Sequence, residues 1–329
     1  MSFKNLGPNL FQIIIPTPFP VGPVNVYVIE DPGGGLCLID AGPRTGPALA
    51  ALEQGIADLG YRLSDVTRIV VTHGHVDHYG LAGDIAQVSG AKVFAHPHTA
   101  SSLEEQSSER DRRHEYYKQR LVEAGVPVDV QFQLAHILGG LRQYGSDVSI
   151  ATTLDEGDEV DIGGSTWQVY HMPGHSNGLI CLLQPDLGLF LSSDHLLRDI
   201  SSNPFFEPPL PGQTQRRRAL VDYIASLDRT SALEFSVAWP GHGEPIYDHR
   251  TLIRDRLAHH RLRAKSILGA LANGPNTVYD LSLIIFPDLN PMDRFLSISE
   301  VLAHLEWLED QGAVEAERED GRMLWRVAG

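Results

Sequence analysis

Six residues of this chain, His73-Gly74-His75-Val76-Asp77-His78, hold three histidines and an aspartate directly behind an apolar run, Ile69-Val70-Val71. With 15 histidines among 329 residues, chance seldom brings three so close. The apolar run reads as a buried strand. His73 and His75 are two apart, so on extended backbone both imidazoles project to one side and can grip a single ion. Asp77 and His78 fall where the chain turns into the next helix, so they face elsewhere and can hold a second ion. The residue types point to a metal centre rather than to a solvated polar turn.

A coordination sphere needs partners from elsewhere, and three further polar motifs each follow a short apolar strand. Trp167-Gln168-Val169-Tyr170 leads into His171-Met172-Pro173-Gly174-His175-Ser176, and Leu189-Phe190-Leu191 leads into Ser192-Ser193-Asp194-His195. Ser236-Val237-Ala238-Trp239 leads into Pro240-Gly241-His242-Gly243. Strand ends along one sheet edge make a rigid rim on which loops converge. A glycine beside His175 and beside His242 permits the tight turn that aims each imidazole.

In this order (H-x-H-x-D-H, P-G-H-S, S-D, P-G-H-G) the motifs resemble those of the metallo-β-lactamase superfamily, closest to its glyoxalase-II-like hydrolase branch, over about residues 10–250. The resemblance implies an α/β fold, an αββα sandwich. It assigns His73, His75 and His175 to a first metal ion, Asp77, His78 and His242 to a second, and Asp194 to a bridging position. Imidazole and carboxylate donors without cysteine suit zinc, and also iron or manganese. Two such divalent ions roughly 3.5–4 Å apart would hold a bridging hydroxide whose parent water has a pKa of about 7, and would polarise a carbonyl or phosphoryl oxygen. No side-chain nucleophile is then needed, and Asp77 is the catalytic residue that orients or deprotonates the water. Asp40, ending a buried strand, either caps the next turn or orients the metal ligands, and the family places an orienting residue there. Histidine rather than glutamate at position 75 opposes the flavodiiron pattern, and retention of both His78 and His242 opposes relatives with a single iron. His96 and His98 lie outside the family's ligand set and read as structural.

The elements that must position these residues divide into a large domain, 1–249, and a small one, 250–329. Strands are expected at Leu10 to Ile15, Val24 to Ile29, Leu36 to Asp40 and Lys92 to Ala95, with helices over 46–60 and 79–89. In related hydrolases the turn Pro18-Phe19-Pro20-Val21-Gly22-Pro23 overhangs the metals, which makes Phe19 a candidate pocket wall. A helical insertion at about 99–150 is expected to carry a polar helix from Ser101 to Glu123. A second, from Phe132 to Tyr144, is broken at Gly139-Gly140, and the pair is either a lid or a packing pair. Leu154 to Asp161 and Ser165 to His171 resume the sheet. The proline-rich loop 204–211 brings Phe205 and Phe206 within reach of the site as walls for an acyl or aryl group. Arg216-Arg217-Arg218 opens a helix as a solvated face or an anion contact.

Beyond 250 the pattern becomes helix (Thr251 to Leu271), helix (Val278 to Phe286), helix (Ile298 to Asp310) and hairpin. It resembles the winged-helix tail of one group of these hydrolases, the β-lactamase-like protein 2 type. The third helix carries Glu300, Glu306, Glu309 and Asp310 without Lys or Arg, so the tail reads as a packing or homodimerisation element rather than a DNA reader.

A formal net charge of −16 opposes sequence-independent attraction to nucleic acid or to an anionic membrane. No apolar run approaches the roughly 20 residues of a membrane helix. Residues 1–5 lack the apolar core of a secretory signal, and the two cysteines, Cys37 and Cys181, sit in apolar strands, which fits a reducing cytoplasm. The favoured activity is hydrolysis of a thioester or ester in a small-molecule acyl substrate. The alternative is a phosphodiesterase or endoribonuclease acting on single-stranded RNA. It rests on Arg254, Arg256, His259, His260, Arg261, Arg263 and Lys265 of one tail helix. A metal-dependent sensor is the non-enzymatic third reading.

Overall fold

The structure, a computed structural model, describes residues 2–103 and 107–329. A first sheet takes seven strands in sequence order: β1 (Phe3–Gly7), β2 (Leu10–Ile15), β3 (Val24–Glu30), β4 (Leu36–Ile39), β5 (Val66–Val71), β6 (Lys92–Ala95) and β7 (Ile150–Thr153). The first four pair antiparallel and the last four parallel. A second sheet runs β8 (Glu159–Ile162), β9 (Ser165–His171), β10 (Ile180–Gln184), β11 (Leu189–Ser193) and β12 (Val237–Pro240), and a separate hairpin joins β13 (Val314–Glu319) to β14 (Arg322–Val327). The helices are α1 (Gly46–Asp58), α2 (Val76–Tyr79), α3 (Ala82–Ser89), α4 (Pro97–Leu103), α5 (Ser107–Glu123), α6 (Val128–Leu141), α7 (Ala219–Ser231), α8 (His249–Leu271), α9 (Val278–Ile285) and α10 (Pro291–Asp310).

Side-chain alternation stacks these elements into layers. Val26 and Val28 of β3 and Leu38 of β4 point outward against Leu52 and Ile56 of α1 and Ile85 of α3. Their neighbours Tyr27, Ile29, Cys37 and Ile39 point inward and meet Trp167, Val169, Ile180 and Leu182 of the second sheet. The far face of that sheet, with Cys181 and Phe190, is covered by Leu220 and Leu227 of α7 and Ile253 of α8. Helix, sheet, sheet, helix is the αββα sandwich that the motifs imply. Cys37 and Cys181 are both buried and free. None of the helices among the described residues is long and apolar enough to cross a membrane.

Several boundaries differ from the sequence expectation. The reading over 101–123 includes residues 104–106, which lie outside those described. Helix α6 starts at Val128, directly after Pro127, and runs through Gly139-Gly140 before a short turn at 142–144. Ile150–Thr153 completes the first sheet, and Leu154 already leaves it. Helix α10 starts at Pro291, well before Ile298, because Asn290 caps it by accepting from Asp293 N at 3.0 Å and proline suits its first turn.

The insertion packs on the C-terminal part. Leu121 of α5 and Leu134 of α6 share one apolar cluster with Phe206 and with Ile267, Leu281, Phe295, Ile298 and Leu305 of the C-terminal helices. Arg216 and Arg218 are partly exposed and are committed to carboxylates of α10. Arg216 pairs with Glu306, and Arg218 donates to Glu309 Oε2 at 2.7 Å and to the Glu306 carbonyl at 3.1 Å. The acidic character of α10 thus answers arginines of its own chain.

Where α8 meets α10, His260 Nδ1 lies 3.3 Å from His304 Nε2, and His304 Nδ1 donates to the Glu300 carbonyl at 2.7 Å. Burial raises the Glu300 carboxyl to about 7, with Arg263 opposing, and lowers His260 to about 3 and His304 to about 4. A carboxyl whose folded pKa exceeds its unfolded value holds extra protons when folded, so its contribution to stability is lost as pH rises from about 4.5 towards 7. Glu300→Gln removes that loss. Urea unfolding should show the variant gaining stability over the parent at pH 8 relative to pH 5, on the order of 2–3 kcal/mol. Equal differences at the two pH values would contradict the assignment.

Candidate metal centre

The clustered side chains gather beyond the ends of four strands. β5 delivers Thr72 and His73, and the short α2 then carries Asp77 and His78. The loops after β9, β11 and β12 deliver His175, Asp194 and His242. Donor atoms of His73, His75 and His175 lie within 4.8 Å of one another, as do those of Asp77, His78 and His242, and those of His73, His78 and Asp194. His75 Nδ1 is 3.0 Å from both His73 Nε2 and His175 Nε2. Asp194 spans the two groups: Oδ1 is 3.4 Å from His78 Nε2, while Oδ2 is 3.5 Å from His175 Nε2 and 3.7 Å from His242 Nε2. Asp77 Oδ2 lies 3.4 Å from His242 Nε2.

Among these donors, His78 Nε2, His242 Nε2 and Asp194 Oδ1 are buried without a hydrogen-bond partner. Orphaned polar atoms cost about 1–3 kcal/mol each, so three aimed into one cluster call for a shared cation. Protonation agrees. Burial pushes His73 well down and His175 to about 3, leaving neutral imidazoles with lone pairs to give. Burial works against ionisation of Asp77, yet His78 and His242 hold its pKa at about 2. Burial likewise opposes a charged His78, but Asp194, Asp40 and Asp77 outweigh it and raise its pKa. The residues fit divalent metal ions.

A further layer of contacts aims the ligand atoms. Asp40 accepts from Thr72 N at 2.8 Å, from Thr72 Oγ1 at 2.8 Å and from His78 Nδ1 at 2.7 Å, so His78 turns Nε2 to the cluster. His242 Nδ1 donates to the Pro23 carbonyl at 2.8 Å and His175 Nδ1 to the Asn203 carbonyl at 3.0 Å. Asp40 (φ 64°) and Ser193 (φ 46°) hold left-handed backbone, which costs about 1–3 kcal/mol each and marks where the surroundings enforce the geometry. Space is equally constrained. A Cβ on Gly241 would collide with Asp194 Oδ1 and come within 2.8 Å of His78 Cε1. A Cβ on Gly174 would strike Tyr223.

The three aromatic candidates separate. The Phe205 ring lies 4.9 Å from His75 and 5.5 Å from His175. Phe206 does not wall the site, because its ring turns into the apolar cluster of the insertion and the C-terminal helices. It is buried 5.6 Å from Phe295 and 5.9 Å from Tyr117. Phe19 is half-buried and meets Tyr144 of the insertion edge-on at 5.2 Å. His96 stacks on His171 at 3.9 Å, outside the cluster. In α8, Arg254, Arg261 and Lys265 are exposed, while Arg256 donates to the Leu197 and Arg198 carbonyls and Arg263 covers Phe286. Sequence reasoning missed Pro23, Asn203 and Tyr144. Two of them act through main-chain carbonyls that every residue type offers, so no pattern marked them.

Residues 19–242 match the family model described as Metallo-beta-lactamase superfamily. Over 319 residues the chain is 33% identical to the probable metallo-hydrolase YqjP of Bacillus subtilis (strain 168), spanning 97% of this chain and 98% of that protein. It is 28% identical over 171 residues to a hydroxyacylglutathione hydrolase of Cereibacter sphaeroides (strain ATCC 17029 / ATH 2.4.9), spanning 52% of this chain and 47% of that one. Among solved structures, a metallo-beta-lactamase family protein from Thermus thermophilus superposes with a TM-score of 0.84 at 29% identity, covering 98% of this chain and 100% of that chain.

Asp40→Asn keeps the shape but offers His78 and Thr72 one acceptor oxygen in place of two. Competition against a chromophoric chelator should show divalent-ion affinity about 10–100-fold weaker, with the circular dichroism spectrum retained. Unchanged affinity would remove Asp40 from the ligand-orienting role.

Proposed function

The chain belongs to the metallo-β-lactamase superfamily, and on that premise we propose that it is a metal-dependent hydrolase that cuts a thioester or carboxylic ester of a small acyl substrate. The observation that carries this reading is Asp194, whose carboxylate reaches imidazoles of both groups, Oδ1 facing His78 and Oδ2 lying between His175 and His242. His73, His75 and His175 would hold one divalent ion and Asp77, His78 and His242 a second, with Asp194 shared. Zinc suits the donors best, iron and manganese next. When bound, such ions lower the pKa of a water to about 7 and polarise the carbonyl under attack.

The chain's own groups then orient and protect the reaction. Asp77, held ionised at about 2, keeps one oxygen towards His242 and has a second with which to accept the proton of the attacking water. Asp40 fixes the direction of His78, and the Pro23 carbonyl that of His242. Phe205 lays an apolar face along His75 and His175, where an acyl chain gains from burial and bulk water is kept back. A thiolate, with a pKa near 8.5, leaves without prior protonation, so a thioester asks little of a general acid. The partial likeness to a hydroxyacylglutathione hydrolase supports an acyl group carried on sulfur.

Little supports RNA as the substrate. Arg216 and Arg218 are committed to acids of α10, and the exposed cations of α8 make no hydrogen bond or ion pair to the cluster among the described residues. We read the C-terminal helices and hairpin as a winged-helix-like part that serves packing. The two buried, unpaired cysteines of the sandwich are in keeping with a reducing cytoplasm.

A parallel screen of acyl-CoA and glutathione thioesters, aryl esters, lactones and single-stranded RNA tests the reading. Turnover is expected on an acyl substrate, abolished by chelation, restored by zinc and weakly dependent on salt. Phe205→Ala should raise KM for a long acyl chain about tenfold, the worth of a partly lost aromatic contact. Cleavage confined to RNA, with affinity falling steeply as salt rises, would overturn the substrate class.

A further inference from the structure

The outer partners of the clustered histidines come from two different parts of the chain. His78 is oriented by Asp40 at the end of β4, and His242 by Pro23 just before β3. His175 is oriented by the Asn203 carbonyl, which belongs to a loop without regular secondary structure. Ser202 ties the start of that loop to the Asp194 carbonyl, and α10 holds the stretch from Asn203 to Phe206. Asn203 Nδ2 donates to the Leu296 carbonyl at 3.1 Å. Ser299 Oγ donates to the Pro204 carbonyl at 2.6 Å and accepts from Phe206 N at 3.2 Å. One buried hydroxyl therefore pins the peptide groups on both sides of Phe205, the residue whose ring faces His75 and His175. Phe295 of the same helix backs both rings, 6.3 Å from Phe205 and 5.6 Å from Phe206.

We propose that Ser299 is a positioning residue for the His175 side of the metal centre, acting through Pro204 and Asn203, so that the C-terminal part belongs to the hydrolytic machinery. The inference rests on the metal reading of the cluster. Its physical content is a lever of three hydrogen bonds. The serine and Leu296 fix the height of the 203–206 segment above the sheet edge. The segment's carbonyl takes the Nδ1 proton of His175, and the tautomer left behind presents Nε2 to the cluster. Removing the hydroxyl leaves the Pro204 carbonyl and the Phe206 amide without their buried partner. The segment then relaxes, and His175 loses its fixed acceptor. His78 and His242, held by other elements, should not respond.

That asymmetry makes the proposal testable in the full-length chain. Zinc is titrated against a chromophoric chelator for the parent, Ser299→Ala, Asn203→Ala and Ser297→Ala. Ser297 is another buried serine of α10 whose hydroxyl, among the described residues, bonds to the Arg294 carbonyl, so it reports general loosening of the helix. Ser299→Ala and Asn203→Ala should weaken one of two binding steps about tenfold, the lower end for outer partners, and leave the other step and Ser297→Ala unchanged. Nitrogen-15 NMR of the imidazoles should show the His175 Nδ1–H signal broadened or shifted in the same two variants while those of His78 and His242 stay in place. Asn203→Ala changes a loop side chain and keeps the test available should Ser299→Ala fold poorly. Parent-like zinc binding and an unmoved His175 signal in both variants would overturn the proposal, as would an equal loss in Ser297→Ala. A parent chain that binds no zinc at all would instead sink the reading of the cluster itself.

Discussion

Burying Asp194 between two sets of imidazoles is the constraint on which the rest of the structure depends. A carboxylate with so little solvent needs compensating charge, and its neighbours divide: burial keeps His73 and His175 neutral, while against burial the clustered carboxylates raise the pKa of His78 and His242. Such a cluster persists only if cations complete it and a stiff frame resists its collapse. The two sheets provide the frame. The clustered side chains follow strands that are buried between layers, Asp77 and His78 on the short α2 directly after β5, so the donors are carried by the least deformable part of the molecule.

Local strain and missing side chains follow from the same constraint. The left-handed backbone at Asp40 and Ser193 and the bare Cα of Gly241 are costs in flexibility and stability that an ordinary turn would avoid. They are tolerated where the alternative is a misdirected imidazole or a displaced carboxylate. Packing outside the cluster answers to it as well. The C-terminal helices hold a loop whose carbonyl orients His175, and the arginines before α7 tie α10 to the sandwich through Glu306 and Glu309. Function and packing are continuous there, and a boundary drawn at residue 249 by sequence alone divides what the apolar cluster around Phe206 and Phe295 unites.

What the sequence disclosed was local. His73 to His78, His175, Asp194 and His242 announce themselves because each polar motif interrupts an apolar strand, and strand alternation then sets which way they face. The layered α/β fold was legible through the resemblance those motifs carry, whereas β3 and β4 are buried on both faces and their residue types alone do not tell inward from outward. The unreadable features depend on contacts between distant segments. Nothing near Arg216 indicates that its partner is ninety residues away on α10. Phe205 and Phe206 are chemically identical, and only the backbone direction of their loop decides that one faces the histidines and the other the core. The start of α10 was readable in principle from Asn290 and Pro291, but the apolar pattern further along is the stronger signal and hides the cap.

Seven side chains are proposed to form one site for two ions. The most direct test is anomalous diffraction at the metal absorption edge from crystals of protein purified without chelator. The account predicts two peaks roughly 3.5–4 Å apart, one among His73, His75 and His175, the other among Asp77, His78 and His242, with Asp194 reaching both. A single peak at one group would contradict the paired centre, and an empty cluster in protein that turns over substrate would contradict the account as a whole.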